Sequence, residues 1–134
     1  MTLAKIENSA EKCKRVIEVF DETLKNHTFE NSPIRYASTQ NHRGYAYYLL
    51  ADFENTSENC NKAIEAFEEA LKVYTFTDFP IQFEMTHQNL EDAYKKLLKV
   101  ENTQENIIRA TKAMHKYVQN FVSDDNLIKF DMIK

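Results

Sequence analysis

Along the chain, apolar residues recur at steps of three and four. In the middle of the sequence Cys60, Ala63, Ile64, Phe67, Ala70, Leu71 and Tyr74 make one such series. That spacing lays a single apolar stripe along a helix, predicted over about residues 57 to 75. The series Cys13, Val16, Ile17, Phe20, Thr23, Leu24 and His27 does the same earlier in the chain, and Ile107, Ala110, Met114, Tyr117 and Phe121 do so later. Between these helices, which we term B, two further helices, termed A, are predicted to open at Pro33 and Pro80. A proline lacks the N–H that the first helical turn leaves unpaired anyway, and its fixed φ suits that position. The A helices are predicted to run to about Phe53 and Val100. Short Glu-Asn-Ser or Glu-Asn-Thr segments, whose Asn, Ser or Thr can cap the next helix, lead from A to B. Thr28 to Ser32 and Thr75 to Phe79 lead back.

The series repeat because the sequence itself repeats. Shifted by 47 residues it aligns with itself without a gap, and residues 7–53 and 54–100 share 18 identities in 47 positions. Glu7/Glu54, Cys13/Cys60, Phe20/Phe67, Pro33/Pro80 and Tyr47/Tyr94 are among them. A partial third copy begins at Glu101 and fills residues 101–134. The expected architecture is therefore all-α, one repeat domain over residues 1–134 with about five long helices and short helical stubs at the ends. The stubs follow from register. Leu3, Ala4 and Lys5 align with Leu97, Leu98 and Lys99, so the first six residues read as the last turn of an A helix. Ile128 and Met132 align with Ile81 and Met85, so residues 127–134 read as the start of another. Two explanations stand open: excision from a longer array, or stubs that act as caps or as contacts between protomers.

The run PIRYASTQNHRGYAYYLL followed by NKAIEAFEEALKVY resembles the tetratricopeptide repeat. The resemblance rests on Gly44 and Tyr47 in the A helix, Ala63, Phe67 and Ala70 in the B helix, and then Pro80. It covers nearly the whole chain, with a 47-residue unit against the usual length of about 34. HEAT and armadillo units are closer in length, but the small-residue and aromatic positions favour the tetratricopeptide type. The chain departs from that pattern at Arg43, where a large aliphatic residue is usual, and at Glu91, which replaces the small residue that Gly44 supplies. A-to-B packing in the 80–122 unit is expected to differ accordingly.

The resemblance implies a helix-turn-helix solenoid, a superhelix whose A helices line a concave groove. The A-helix positions outside the packing set are Asn41, Tyr45 and Tyr48 in one unit and Met85, Gln88, Asp92 and Lys95 in the next. Tyr and Met supply adaptable contact area, and Asn, Gln and Lys can bond a peptide backbone or carboxylates. These seven residues are the candidate partner-binding groove for a peptide or helix of another protein. The alternative reading of Tyr45 and Tyr48 is packing against a neighbouring helix. The basic clamp with which some family members hold a C-terminal carboxylate is not matched, since Met85 occupies one of its positions.

Composition narrows the functional classes. One glycine and two prolines in 134 residues are few for a sheet protein and too few for most phosphate cradles. The net charge of -4 arises in the middle of the chain, where residues 54–100 carry 5 basic and 9 acidic side chains. No basic stripe suited to nucleic acid appears, nor a basic amphipathic stretch suited to an anionic membrane surface. No apolar run reaches membrane-spanning length and none resembles a signal peptide, so the cytoplasm is the expected location. Cys13 and Cys60 sit at equivalent places on successive stripes, too far apart for a disulfide, and read as buried free thiols. His27, His42, His87 and His115 form no ligand spacing with one another or with cysteine, so neither a metal nor a cofactor is expected. No nucleophile elbow or metalloprotease motif supports an enzyme. Glu65, Glu68 and Glu69, with Glu18, Asp21 and Glu22, read as a solvated face. A protein-interaction scaffold follows, with self-assembly through the terminal stubs as the alternative.

Overall fold

The computed structural model describes residues 2–121. It contains five α-helices and, among the described residues, no strand: α1 Leu3–Asn26, α2 Pro33–Leu50, α3 Thr56–Leu71, α4 Pro80–Val100 and α5 Gln104–Phe121. Each helix packs against the next, and α2 also meets α4. The core lies where the stripes converge. Phe67, Leu90, Leu97 and Cys60 are fully enclosed, and Tyr47, Ile64, Ala93 and Tyr94 surround them.

Helix starts follow local chemistry. Pro33 and Pro80 occupy the first turns of α2 and α4. The turn before α2 is held by side chains: the Thr28 N–H donates to Asn31 Oδ1 at 2.8 Å and the Asn31 N–H to Thr28 Oγ1 at 3.2 Å. One unit later the Asp78 N–H donates to Thr75 Oγ1 at 3.2 Å. A hydroxyl three residues before the donor thus shapes both returns from B to A.

The turn from A to B depends on one asparagine. Asn59 Nδ2 donates back to the Glu54 carbonyl at 2.9 Å, and its repeat equivalent Asn106 donates to the Glu101 carbonyl at 3.0 Å. Both amides are buried, so these bonds close the connection where the chain reverses. Asn55 supplies the one left-handed residue among those described, at φ 44°. In the first copy the position of Asn59 is taken by Lys12, which has no amide to donate. There the structure corrects the expectation: residues 3–6 are not a separate stub, and Glu7-Asn8-Ser9 is not a connector. The segment runs unbroken into α1, started by Thr2, whose hydroxyl accepts from the Lys5 N–H at 3.3 Å. The expected C-terminal stub, residues 127–134, lies outside the described residues.

Gly44 sets the spacing of α2 and α3. A Cβ built on it would stand 2.7 Å from Phe67 Cε1, so only glycine admits the ring at this distance. One unit later the pair becomes Glu91 and Met114, where the packing was expected to differ, and α4 meets α5 more loosely than α2 meets α3. Among the described side chains of α5, only Asn106 and Tyr117 are buried. Arg43, the other departure, replaces an aliphatic contact with a polar bridge. Its Nε donates to Asp21 Oδ1 of α1 at 2.7 Å, and its guanidinium lies 5.1 Å from the centre of the Tyr47 ring. Asp21, read as part of a solvated face, is thus tied to α2 while its side chain stays 46% exposed.

Candidate interaction face on helices α2 and α4

Positions 34, 38, 41, 45 and 48 lie along one side of α2, because steps of four and three return to the same helix face. Positions 81, 85, 88, 92 and 95 are their equivalents on α4. Contacts between the two helices border this face. Asn89 Nδ2 of α4 donates to Asn41 Oδ1 of α2 at 3.3 Å. Farther along, Lys96 Nζ donates to the Tyr48 carbonyl at 2.8 Å, pairs with Asp52 at 2.9 Å and lies 3.4 Å from the centre of the Tyr48 ring. Lys96 is only 15% exposed at its side chain, and the carbonyl it reaches belongs to the last turn of α2, where a cation is favoured.

The seven candidate residues divide by environment. Asn41 and Tyr48 are half-buried at the seam, so part of their hydrogen-bonding and ring surface is already used within the chain. Tyr45 is 49% exposed and stacks on Tyr48 with ring centroids 6.0 Å apart. Met85 is 60% exposed and, with Gln88, borders a shallow depression of about 540 Å³ that Glu84, His87 and Asn89 complete. Gln88 donates to Asp92 at 3.0 Å, and Lys95 pairs with Glu91 at 3.1 Å. The bond and the ion pair each link residues four apart on the helix surface, worth a few tenths of a kcal/mol and easily exchanged for a partner's groups.

Three further apolar residues of this region lie outside the seven candidates. Ile34 and Ile81 hold equivalent places in the first turns of α2 and α4 and are 57% and 70% exposed, and Leu49 is exposed near the end of α2. The repeat carries the signal, since Ile128 stands in the same place a further 47 residues on.

The remaining chemistry is quiet. A cleft of about 510 Å³ separates α3 from α5, with Glu65 and Glu68 on one wall and Arg109, Lys112 and Lys116 on the other. Tyr94 lines it and donates to Glu68 at 3.3 Å. Burial, with Glu68 nearby, pushes the Tyr94 and Tyr117 phenols up to about 12, and burial pushes the Cys60 thiol up to about 11. These groups keep their protons at neutral pH. No group of acidic, histidine and cysteine side chains suited to a metal ion occurs among the described residues, and both cysteines are free thiols. No described helix is long and apolar enough to cross a membrane. Comparison with protein-family models, with curated proteins and with solved structures returned no match, so the reading of this face rests on its own geometry.

Proposed function

We propose that the chain is a protein-interaction scaffold, a tetratricopeptide-like stack whose A helices receive a peptide or helix of a partner protein. The observation that carries the reading is the line of exposed apolar side chains on adjacent A helices, Ile34 and Tyr45 on α2 with Ile81 and Met85 on α4. Single exposed apolar residues are ordinary on any surface, whereas four on two neighbouring helices, with Ile34 and Ile81 at equivalent places, make a patch with a purpose. Asn41, Gln88, Asp92 and Lys95 surround it with donors and acceptors that would orient a bound backbone. A partner helix would present apolar residues three and four apart to the two isoleucines, Tyr45 and Met85.

The test pairs affinity with stability. Once a partner is identified by crosslinking, Tyr45→Ala combined with Met85→Ala should weaken its binding by about tenfold or more, as removal of central anchors does. Because both side chains are largely exposed, unfolding stability should stay within about 0.5 kcal/mol. Unchanged affinity removes this face from the binding account. Tyr48 is excluded from the test, since its ring and carbonyl hold Lys96 and its loss would disturb the fold.

A further inference from the structure

The outer side of α1 is uncovered, and the repeat shows how unusual that is. Val16, Val19 and Thr23 stand where α3 has Ala63, Ala66 and Ala70. The three alanines are 0%, 1% and 0% exposed, on a helix enclosed by α2 and α4, and Ala70 packs with Ala37 of α2. Val16 and Val19 are 44% and 62% exposed. Their larger side chains are poorly suited to the close approach that Gly44 and small residues give α2 and α3, so this face is not a copy of the one on α3 waiting for an A helix.

Its charges run in one direction along the axis. From the N-terminal end the stripe reads Lys12, Arg15, Val16, Val19, Glu22, Thr23, basic first, apolar in the centre and acidic after. Arg15 and Glu22 are seven residues apart, two helical turns, and therefore lie on the same edge of the stripe. When two copies of a helix pack antiparallel about a two-fold axis, each edge meets its own counterpart running the other way. With the two-fold axis passing beside Val19, midway between the two charges, Arg15 of one copy faces Glu22 of the second, twice, with the valines between. A shallow depression of about 650 Å³ is bordered by both residues together with Val19, Thr23 and a second acid, Glu18. Neither charge is committed elsewhere. Arg15 has no ion pair among the described residues, and Glu22 has an exposed three-residue pair with Lys25 that is cheap to exchange.

We propose that the outer face of α1 binds a second copy of this chain, as an antiparallel two-fold pair closed by reciprocal Arg15–Glu22 contacts. The stripe from Asn8 to Asn26 is about 27 Å long at 1.5 Å per residue, long enough for a helix-pair interface. This surface is separate from the face on α2 and α4, and the proposal does not depend on what that face binds. A pair formed this way carries two such faces and would hold a two-site partner more tightly than one copy does.

Sedimentation velocity on the full chain over about 1 to 200 µM should show a dimer that dissociates on dilution and weakens with salt. Arg15→Glu alone brings two carboxylates together at each reciprocal contact, and Glu22→Arg alone brings two guanidinium groups together; each variant should shift the dissociation constant upward by about tenfold or more. Mixed in equal amounts, the two variants should associate again, because each then supplies the charge the other lacks. Lys112→Glu mixed with Glu65→Arg, placed on α5 and α3, should leave the native dissociation constant unchanged and controls for net charge. A monomer at every concentration overturns the proposal. So does a dimer indifferent to the single reversals, or a mixture that stays monomeric while circular dichroism shows both variants folded.

Discussion

Replacing Gly44 with alanine adds one methyl group at the closest approach of α2 and α3. In an exposed helix interior this change stabilises by about 0.8 to 1.0 kcal/mol, because alanine loses less backbone freedom on folding than glycine does. Here the new Cβ would lie 2.7, 2.8 and 3.1 Å from three carbons of the Phe67 ring, against an optimum of about 3.5 to 4.0 Å for carbon pairs. Relief requires the ring or a whole helix to move by nearly an ångström. The ring is 0% exposed and has nowhere to go. Overpacking of this kind costs about 1 to 3 kcal/mol, so the net effect should be a loss of about 1 kcal/mol with the opposite sign from the exposed-helix expectation. Urea unfolding followed by circular dichroism reads it as a lower midpoint at an unchanged slope. Phe67→Leu added to Gly44→Ala should recover part of the loss, giving a coupling of at least about 0.5 kcal/mol in a double-mutant cycle. A raised midpoint for Gly44→Ala would refute this account of the helix spacing, since the ring would then be free to yield. Glu91→Ala, at the equivalent position one unit later, is the contrast: with the loosely held Met114 opposite and a surface pair to Lys95, it should change stability by no more than about 0.5 kcal/mol.

Three further outcomes follow from buried polar groups. Asn59→Ala removes the amide that closes the turn between α2 and α3 and leaves the Glu54 carbonyl without that donor, so unfolding free energy should fall by about 1 to 3 kcal/mol; a change under about 0.5 kcal/mol would show that the turn holds without it. Thr86 is fully buried and its hydroxyl oxygen has no hydrogen-bond partner among the described residues, so Thr86→Val should be neutral or stabilising by up to about 1 kcal/mol, and a clear loss in thermal unfolding would reveal a partner for that hydroxyl. Tyr94 and Tyr117 have folded-state phenols raised to about 12 from 10.0, which means the native state favours the protonated forms. Their contribution to stability is complete below pH 10 and is lost as the pH rises through 12. Absorbance at the phenolate band should show a late component from Tyr94 and Tyr117, with Tyr94→Phe removing part of it; the absence of any late component would contradict the burial.

Much of this protein was legible from its residues alone. The apolar stripes, the 47-residue unit, the helices opening at Pro33 and Pro80, and the stripe residue Phe67 as a core member all follow from information within one or two helical turns, or from one copy of the unit compared with the next. Helix formation and the direction of a buried face are set by periodicity, which is local. That the packing of α5 would differ was visible in Glu91 standing where Gly44 stands, but that it would be looser was not.

Other features depend on which groups meet across the fold, and no local pattern encodes that. The exchange of Asn59 and Asn106 for Lys12 reads as an ordinary polar substitution, yet it accompanies the disappearance of a turn, because the amide matters only through a carbonyl five residues back. Lys96 looks no different from Lys95 in the sequence; tertiary packing brings one over the ring and carbonyl of Tyr48 and leaves the other on the surface. Asp21 reads as one more solvated acid until Arg43 arrives from α2. The exposed faces are decided the same way. Val16 carries the stripe pattern of buried residues, as Ala63 does, and what separates them is whether another helix arrives to cover them. Amino-acid sequence thus determined which surfaces of each helix are apolar, and tertiary structure determined which of those surfaces are covered, because coverage is a property of neighbours in space rather than of the chain's own period.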